Sequence, residues 1–272
     1  MSTITAPVAV RQDRGARFSN VLRSEWTKIR SVPSTMWTIA SALVVGIGLS
    51  LLIAAITAHA YSEGKADAVR NWDPTAMSTS GGALAQLAIA VLGTLVITSE
   101  YATRSIRVSL AAVPQRGHLL AAKAVVVCAV ALAVGEFMAF VSFLAGQAII
   151  SGKAPTASLS DPTVFRAVAG AGFYCAAIAL LGMALGALLR STAAAITGLV
   201  ALLYVLPGLV QALPSGFRDP ITKFWPTIAG SNITNVVQDP KMLGPWAGMA
   251  VMLTFVGAVL AVANWRLTSK DA

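Results

Sequence analysis

Residues 124–150 read AVVVCAVALAVGEFMAFVSFLAGQAII, and this stretch decides the class of fold. Glu136 is the single charged side chain within it. An apolar run of about 18 or more residues is long enough to cross the hydrocarbon core of a bilayer as a helix. A helix can do so because it satisfies its own backbone hydrogen bonds. The stretch therefore predicts a membrane-spanning helix.

Five further stretches have the same character. The six predicted spans cover residues 36–58, 82–99, 124–150, 165–189, 193–213 and 246–265. Charged residues make up 11% of the chain, compared with about 25% in soluble domains. The sequence therefore predicts an all-α integral membrane bundle of six helices, with residues 36–272 as its transmembrane domain. The segments outside the spans are too short for a soluble domain of about 100 residues.

The net charge of +9 lies at the ends of the spans and is not gathered on one folded face. We therefore expect no nucleic-acid partner. With both termini in the cytoplasm, 13 of the 20 lysines and arginines lie inside and 7 lie outside. Cytoplasmic segments carry the excess of Lys and Arg. This split predicts a multi-pass protein of the plasma membrane with both termini cytoplasmic.

The N-terminal region is polar and basic. Residues 1–16 show no periodicity and are predicted to form a disordered tail. Residues 17–35 are predicted to form an amphipathic helix on the inner membrane surface, with Trp26 at the interface. Its apolar stripe consists of Phe18, Val21, Leu22, Trp26 and Ile29. Glu25 falls inside this stripe and is either a frayed surface glutamate or the partner of an arginine on a neighbouring cytoplasmic element.

Three features near the later spans predict local structure. Gly182 and Gly186 have the small-residue spacing that allows two helices to approach closely. Pro207 lies inside the fifth span and predicts a kink. Residues 214–245 hold apolar side chains among Pro, Gly and Asn. This pattern predicts short helices that re-enter the outer leaflet, and the alternative is a folded outer loop anchored by Trp225.

Glu136 lies near the middle of the third predicted span, where a charged carboxylate costs about 2.5–3.5 kcal/mol on insertion scales. It could contact a substrate, relay a proton or form an interhelical pair in a pathway. Alternatively, it is a protonated side chain that hydrogen-bonds to a neighbour and holds the bundle together.

No enzyme motif is found in the sequence. The pattern GxxxxGK[ST] of the P-loop is missing, as are HExxH and GxSxG. We therefore predict that the chain is not an enzyme and binds no ATP, Mg²⁺ or other cofactor itself.

Residues 100–123 read EYATRSIRVSLAAVPQRGHLLAAK and form the basic loop between the second and third spans. Ile106, Leu110 and Val113 recur at helical spacing, which predicts a short cytoplasmic helix before Pro114. A positive charge excess sets the topology, but topology alone does not require an ordered helix.

These residues carry a resemblance to a known family. The loop resembles the pattern of type-2 ATP-binding-cassette exporter permeases at Glu100, Arg107, Leu110, Pro114, Arg116 and Lys123. LRSEWTKIRSVPS, residues 22–34, is similar to the interfacial helix that opens many bacterial members.

The resemblance implies a function and a set of partners. A separate cytoplasmic ATP-binding subunit would hold ATP and Mg²⁺ and dock on the loop as a coupling helix. Two permease copies, identical or different, would form the pathway within the membrane lipid. The implied ATPase contacts are Glu100, Arg104 and Arg107, with Pro114 and Arg116 at the end of the coupling helix, while Glu25 and Trp26 flank them.

The apolar spans suit the export of a hydrophobic drug, lipid or peptide. Two other functions remain open from the residues alone. An ion-coupled secondary transporter would need more intramembrane polar groups than Glu136. A non-transporting membrane regulator is compatible with the sequence.

Overall fold

The computed structural model describes residues 18–103 and 116–269. In this part of the chain, six helical segments are long and apolar enough to cross a membrane. They are α2 (Pro33–Ser62), α5 (Gly82–Ala102), α6 (Arg116–Ile150), α7 (Pro162–Leu189), the segment Thr192–Val210 and α12 (Pro245–Ser269). The predicted all-α bundle of six spans is confirmed.

Shorter helices complete the described chain. They are α1 (Phe18–Ser31), α3 (Ala66–Arg70), α4 (Pro74–Thr79), α10 (Ser215–Phe224) and α11 (Pro226–Ser231), followed by a 3₁₀ turn (Asn232–Thr234). The fifth span is built from α8 (Thr192–Val200), a π-helical turn (Ala201–Val205) and α9 (Leu206–Val210). The π-helical turn directly precedes the segment with Pro207, the residue that predicts a kink.

Local sequence signals set several helix ends. Proline opens α2, α4, α7 and α12, where its missing N–H is not needed. The Asp161 side chain caps α7 by accepting a hydrogen bond from the Thr163 amide at 2.7 Å. Arg190 ends α7 in the left-handed conformation, with φ of 55°. Thr192 then begins α8, so only Arg190 and Ser191 separate the two helices.

Helix α7 lies at the centre of the bundle. It packs along α5 and α6 and also contacts α12. Its glycines let neighbouring backbones approach closely, because a Cβ atom at Gly182 would overlap the carbonyl oxygen of Ala90. A Cβ atom at Gly93 of α5 would likewise overlap the carbonyl oxygen of Ala179. The close approach predicted at Gly182 is confirmed.

The start of α6 differs from the sequence-based expectation. Residues 116–123, predicted to be loop, form the first turns of this helix. Hydropathy underestimates the helix because His118 and Lys123 interrupt the apolar run. The turns are stabilised by burial, since Leu119 and Ala122 pack inside the bundle.

Residues 214–245, which the sequence assigns to the outside, fold back onto the bundle. Helix α11 and the 3₁₀ turn pack between α7 and α12, with Ile233 buried. The Arg166 guanidinium donates hydrogen bonds to the carbonyl oxygens of Ile233 at 3.2 Å and Asn235 at 2.9 Å. Burial of the backbone by protein is the condition that a re-entrant segment must meet. Its placement in the outer leaflet stays a prediction.

Candidate functional site

Helix α1 packs its inner face against the start of α6 and also contacts α2. Val21, Glu25 and Ile29 recur every four residues on this face and are buried. Val21 lies in a small apolar cluster with Leu119 and Ala122 of α6. Trp26 faces away from this contact and is 45% exposed.

Two glutamates and two lysines form a buried ion cluster beside this contact, defined here as Glu25, Lys28, Glu100 and Lys123. The Lys123 Nζ lies 2.6 Å from Glu25 Oε2 and 2.7 Å from Glu100 Oε1. The Lys28 Nζ lies 2.7 Å from Glu25 Oε1 and 2.8 Å from the same Glu100 Oε1. The cluster therefore joins α1, the last turn of α5 and the start of α6.

Burial makes the pairing of these charges essential. The side chains of Lys123, Glu25 and Glu100 are 1%, 2% and 9% exposed, whereas that of Lys28 is 41% exposed. Removing an ion from water costs several kcal/mol unless a partner of opposite charge and hydrogen bonds compensate. With two carboxylates and two ammonium groups, the cluster has a formal charge of zero.

The electrostatics of Lys28 reflect the same arrangement. Partial burial disfavours its ammonium, but hydrogen bonds to Glu100 and Glu25 and the charges of both carboxylates outweigh that effect. The pKa of Lys28 is therefore raised above its usual value of 10.5. The side chain is cationic at neutral pH.

The structure resolves the anomaly of Glu25. It is not a frayed surface glutamate, and the expectation of an arginine partner is wrong because Lys28 and Lys123 bind its carboxylate. Val21 and Ile29 of the apolar stripe flank Glu25 because this face of α1 points into the bundle. Lys123 meets it there, about two turns from the first residue of α6.

The remaining predicted coupling residues fall in different places. Glu100 is held by two lysines of its own chain, and its contact with an ATPase stays a prediction. Arg104, Arg107 and Pro114 lie outside the described residues. Arg116 is the first residue of α6.

Glu136 faces α7 in the middle of α6. A Cβ atom on Gly172 would lie 2.5 Å from the Glu136 Cδ, so the carboxyl group packs directly against the α7 backbone. Its Oε2 is buried and has no hydrogen-bond partner among the described residues. The expected hydrogen bond to a neighbour is therefore not made by this oxygen.

Sequence reasoning did not identify Lys28 and Lys123 as the partners of Glu25 and Glu100. Lys123 entered that reasoning only as a position of the family pattern, and Lys28 only as part of the N-terminal segment 22–34. One signal was available: a glutamate inside an apolar stripe requires a cation on the surface that the stripe covers.

The ion cluster carries out no bond chemistry, but it provides a mechanical link. Each lysine bridges both carboxylates, so displacing α1, α5 or α6 alone would separate buried opposite charges. Residues 104–115 connect α5 to α6 along the chain, and both of these helices contribute to the cluster. A force applied to that segment would therefore reach all three helices.

A family model described as ABC-2 family transporter protein matches residues 21–208. The match includes all four residues of the ion cluster, the first four spans and most of the fifth. The comparison with curated proteins gave no match.

Proposed function

Because the chain belongs to the ABC-2 family of transporter proteins and is a multi-pass membrane permease of an ABC transporter, we propose that it exports a hydrophobic substrate across the plasma membrane. A separate cytoplasmic subunit binds ATP and Mg²⁺ and hydrolyses the nucleotide. Two permease copies, identical or different, enclose the pathway, and both termini of this chain are cytoplasmic.

The observation that carries the proposal is the position of the ion cluster. It joins the last turn of α5 to the start of α6, at the two ends of the segment that holds Arg104 and Arg107. In this proposal the ATP-binding subunit contacts that segment. The cluster then passes its movement to α5, α6 and α1 together, with Glu100 acting through the two lysines.

The hydrophobic nature of the substrate is supported by the spans. The most apolar stretch of 18 residues in each span has a mean hydropathy between 1.8 and 2.6. The fifth span is the least covered of the six, with Val205, Leu206 and Leu209 exposed. Its free face is available to a second permease copy or to an apolar substrate.

Substrate stimulation of ATP hydrolysis tests this proposal. The purified complex of the chain with its ATP-binding subunit, in nanodiscs, is given a hydrophobic dye, a single-chain amphiphile or an apolar peptide. We expect at least one of these compounds to raise the vanadate-sensitive rate of hydrolysis, and sucrose to leave it unchanged. Stimulation by sucrose alone, or by none of the hydrophobic compounds, would contradict hydrophobic export.

Cysteine labelling tests the orientation. Both native cysteines are first replaced, as Cys128→Ala and Cys175→Ala. In this background, Ser151→Cys places one exposed thiol before α7, and Ala193→Cys places one exposed thiol after it. We expect a membrane-impermeant maleimide to label Ser151→Cys in intact cells. It should label Ala193→Cys only after permeabilisation. The reverse pattern would place the termini outside.

A further inference from the structure

The second half of the fifth span is far less embedded in the bundle than the first half. Helix α8 packs on α5 and α7, whereas the main contacts of α9 are with the π-helical turn before it and with α10. Helix α10 in turn contacts mainly α9 and α11. The structure describes every residue of α9 and α10, and none of these residues is buried. Residues 206–224, called the strap below, are therefore held mainly at their two ends, by the π-helical turn and by α11.

The two ends of the strap meet at one hydrogen bond. The indole Nε1 of Trp225, the residue that follows α10, donates to the carbonyl oxygen of Leu202 in the π-helical turn at 3.1 Å. Leu202 lies near the middle of the span Thr192–Val210, where lipid offers no partner to a backbone carbonyl. The bond therefore satisfies a group that the bilayer cannot, and it closes the strap into a loop.

Pro207 explains why the Leu202 carbonyl needs a donor from outside the helix. In the π-helical turn, the Leu206 amide donates to the Ala201 carbonyl, five residues earlier. In the same register the Leu202 carbonyl would be paired with residue 207, and proline has no N–H. The Trp225 indole supplies the missing donor.

A second register is available to the same turn. In an α-helix each carbonyl accepts from the amide four residues later, so the Leu206 amide would bond to the Leu202 carbonyl and displace Trp225. Pro207 would then leave the Leu203 carbonyl without a donor, and its ring would crowd that carbonyl. The change advances the helix by one residue, which turns the attached strap by about 100° around the helix axis.

We propose that the π-helical turn and Trp225 form a conformational switch, in which release of the indole from the Leu202 carbonyl shifts the turn to the α-helical register and swings the strap. Pro207 deprives one carbonyl of its donor in either register, and Trp225 makes good the loss only in the π-helical one. The switch does not depend on the proposed export function, because it requires neither ATP nor a second subunit.

Hydrogen-exchange mass spectrometry of the purified full chain in nanodiscs tests the proposal. Trp225→Phe keeps an aromatic ring and removes the N–H. We expect the backbone amides of residues 208–213 to exchange on the order of tenfold faster than in wild type, because the strap loses the bond that closes it. Trp246→Phe is the matched control, since it makes the same change at a tryptophan that is 65% exposed, and it should leave these amides unaffected.

Pro207→Ala distinguishes the switch from simple packing of the indole. Alanine restores an N–H, so every carbonyl of the turn can be satisfied without Trp225. Adding Trp225→Phe to Pro207→Ala should therefore change the exchange of the same amides by less than about twofold. A tryptophan that only packs against the span would have the same effect in both backgrounds.

Each protein is first checked for a monodisperse size-exclusion peak. A tenfold effect of Trp225→Phe that disappears in the Pro207→Ala background supports the switch. If Trp225→Phe alone does not fold, a monodisperse double variant supports it equally, because the alanine has removed the need for the indole. The proposal is overturned by equal effects in the two backgrounds, by wild-type exchange in Trp225→Phe, or by aggregation of both proteins that carry Trp225→Phe.

Discussion

Replacing Lys123 with methionine is expected to lower the free energy of unfolding by about 3–5 kcal/mol, the cost of removing one partner from a buried ion pair. Lys123 Nζ is the buried donor to both Glu25 Oε2 and Glu100 Oε1. Methionine keeps the length and the apolar stem but leaves two buried carboxylates with only Lys28 between them. Thermal unfolding of the detergent-purified protein measures the effect.

A neutral combination and a surface control separate charge from packing. Adding Glu25→Gln and Glu100→Gln to Lys123→Met removes the unpaired carboxylates, so most of the lost stability should return. Lys153→Met makes the same change at an exposed position, and its free energy of unfolding should stay within about 0.5 kcal/mol of the wild-type value. A Lys123→Met protein that unfolds at the wild-type temperature would show that the ion cluster does not stabilise the fold.

Replacing Gly93 with valine is expected to disrupt the packing of α5 on α7. A Cβ atom at this position would overlap the backbone carbonyl of Ala179, which cannot rotate away as a side chain can. The helices must separate, and overpacking of this kind costs typically about 1–3 kcal/mol and sometimes more. We expect the yield of monodisperse protein to fall sharply in size-exclusion chromatography.

Gly257→Val is the matched control for Gly93→Val. Gly257 also lies inside a long span, but nothing is within 4 Å of the position that its Cβ would occupy. This variant should be purified with the wild-type yield. Similar yields for the two valine variants would contradict the tight contact between α5 and α7.

The sequence predicted the spans well because each is a long apolar run. The structure places a helix on every one of them, with ends set by prolines such as Pro33 and Pro162. The early start of α6 was missed because hydropathy measures affinity for lipid, whereas Leu119 and Ala122 are buried by protein. The short helices α3 and α4 were not predicted, since they occur in a polar stretch between the first two predicted spans.

The ion cluster could be predicted only in part. Glu25 was recognised as an anomaly from its place in the helical stripe, and Glu100 and Lys123 were noted as positions of the family pattern. Their meeting joins residues that are 98 and 23 positions apart. No local pattern specifies such pairings, because they depend on how α1 crosses α6 and how α5 ends beside it.

Charge reversal in the segment between α5 and α6 tests the central claim that a separate ATPase drives this permease from that point. A variant that carries both Arg104→Glu and Arg107→Glu is compared with a control variant that carries both Arg70→Glu and Lys153→Glu. The control variant reverses two exposed charges in the segments assigned to the outside. The measurement is the amount of ATP-binding subunit that co-purifies with each tagged, monodisperse permease.

We expect wild type and the outer variant to retain the ATP-binding subunit equally. The variant with both Arg104→Glu and Arg107→Glu should retain at least about tenfold less of the ATP-binding subunit, because repulsion at a charged interface costs more than 1.4 kcal/mol. Undiminished retention of the subunit, together with an unchanged rate of ATP hydrolysis, would contradict the account.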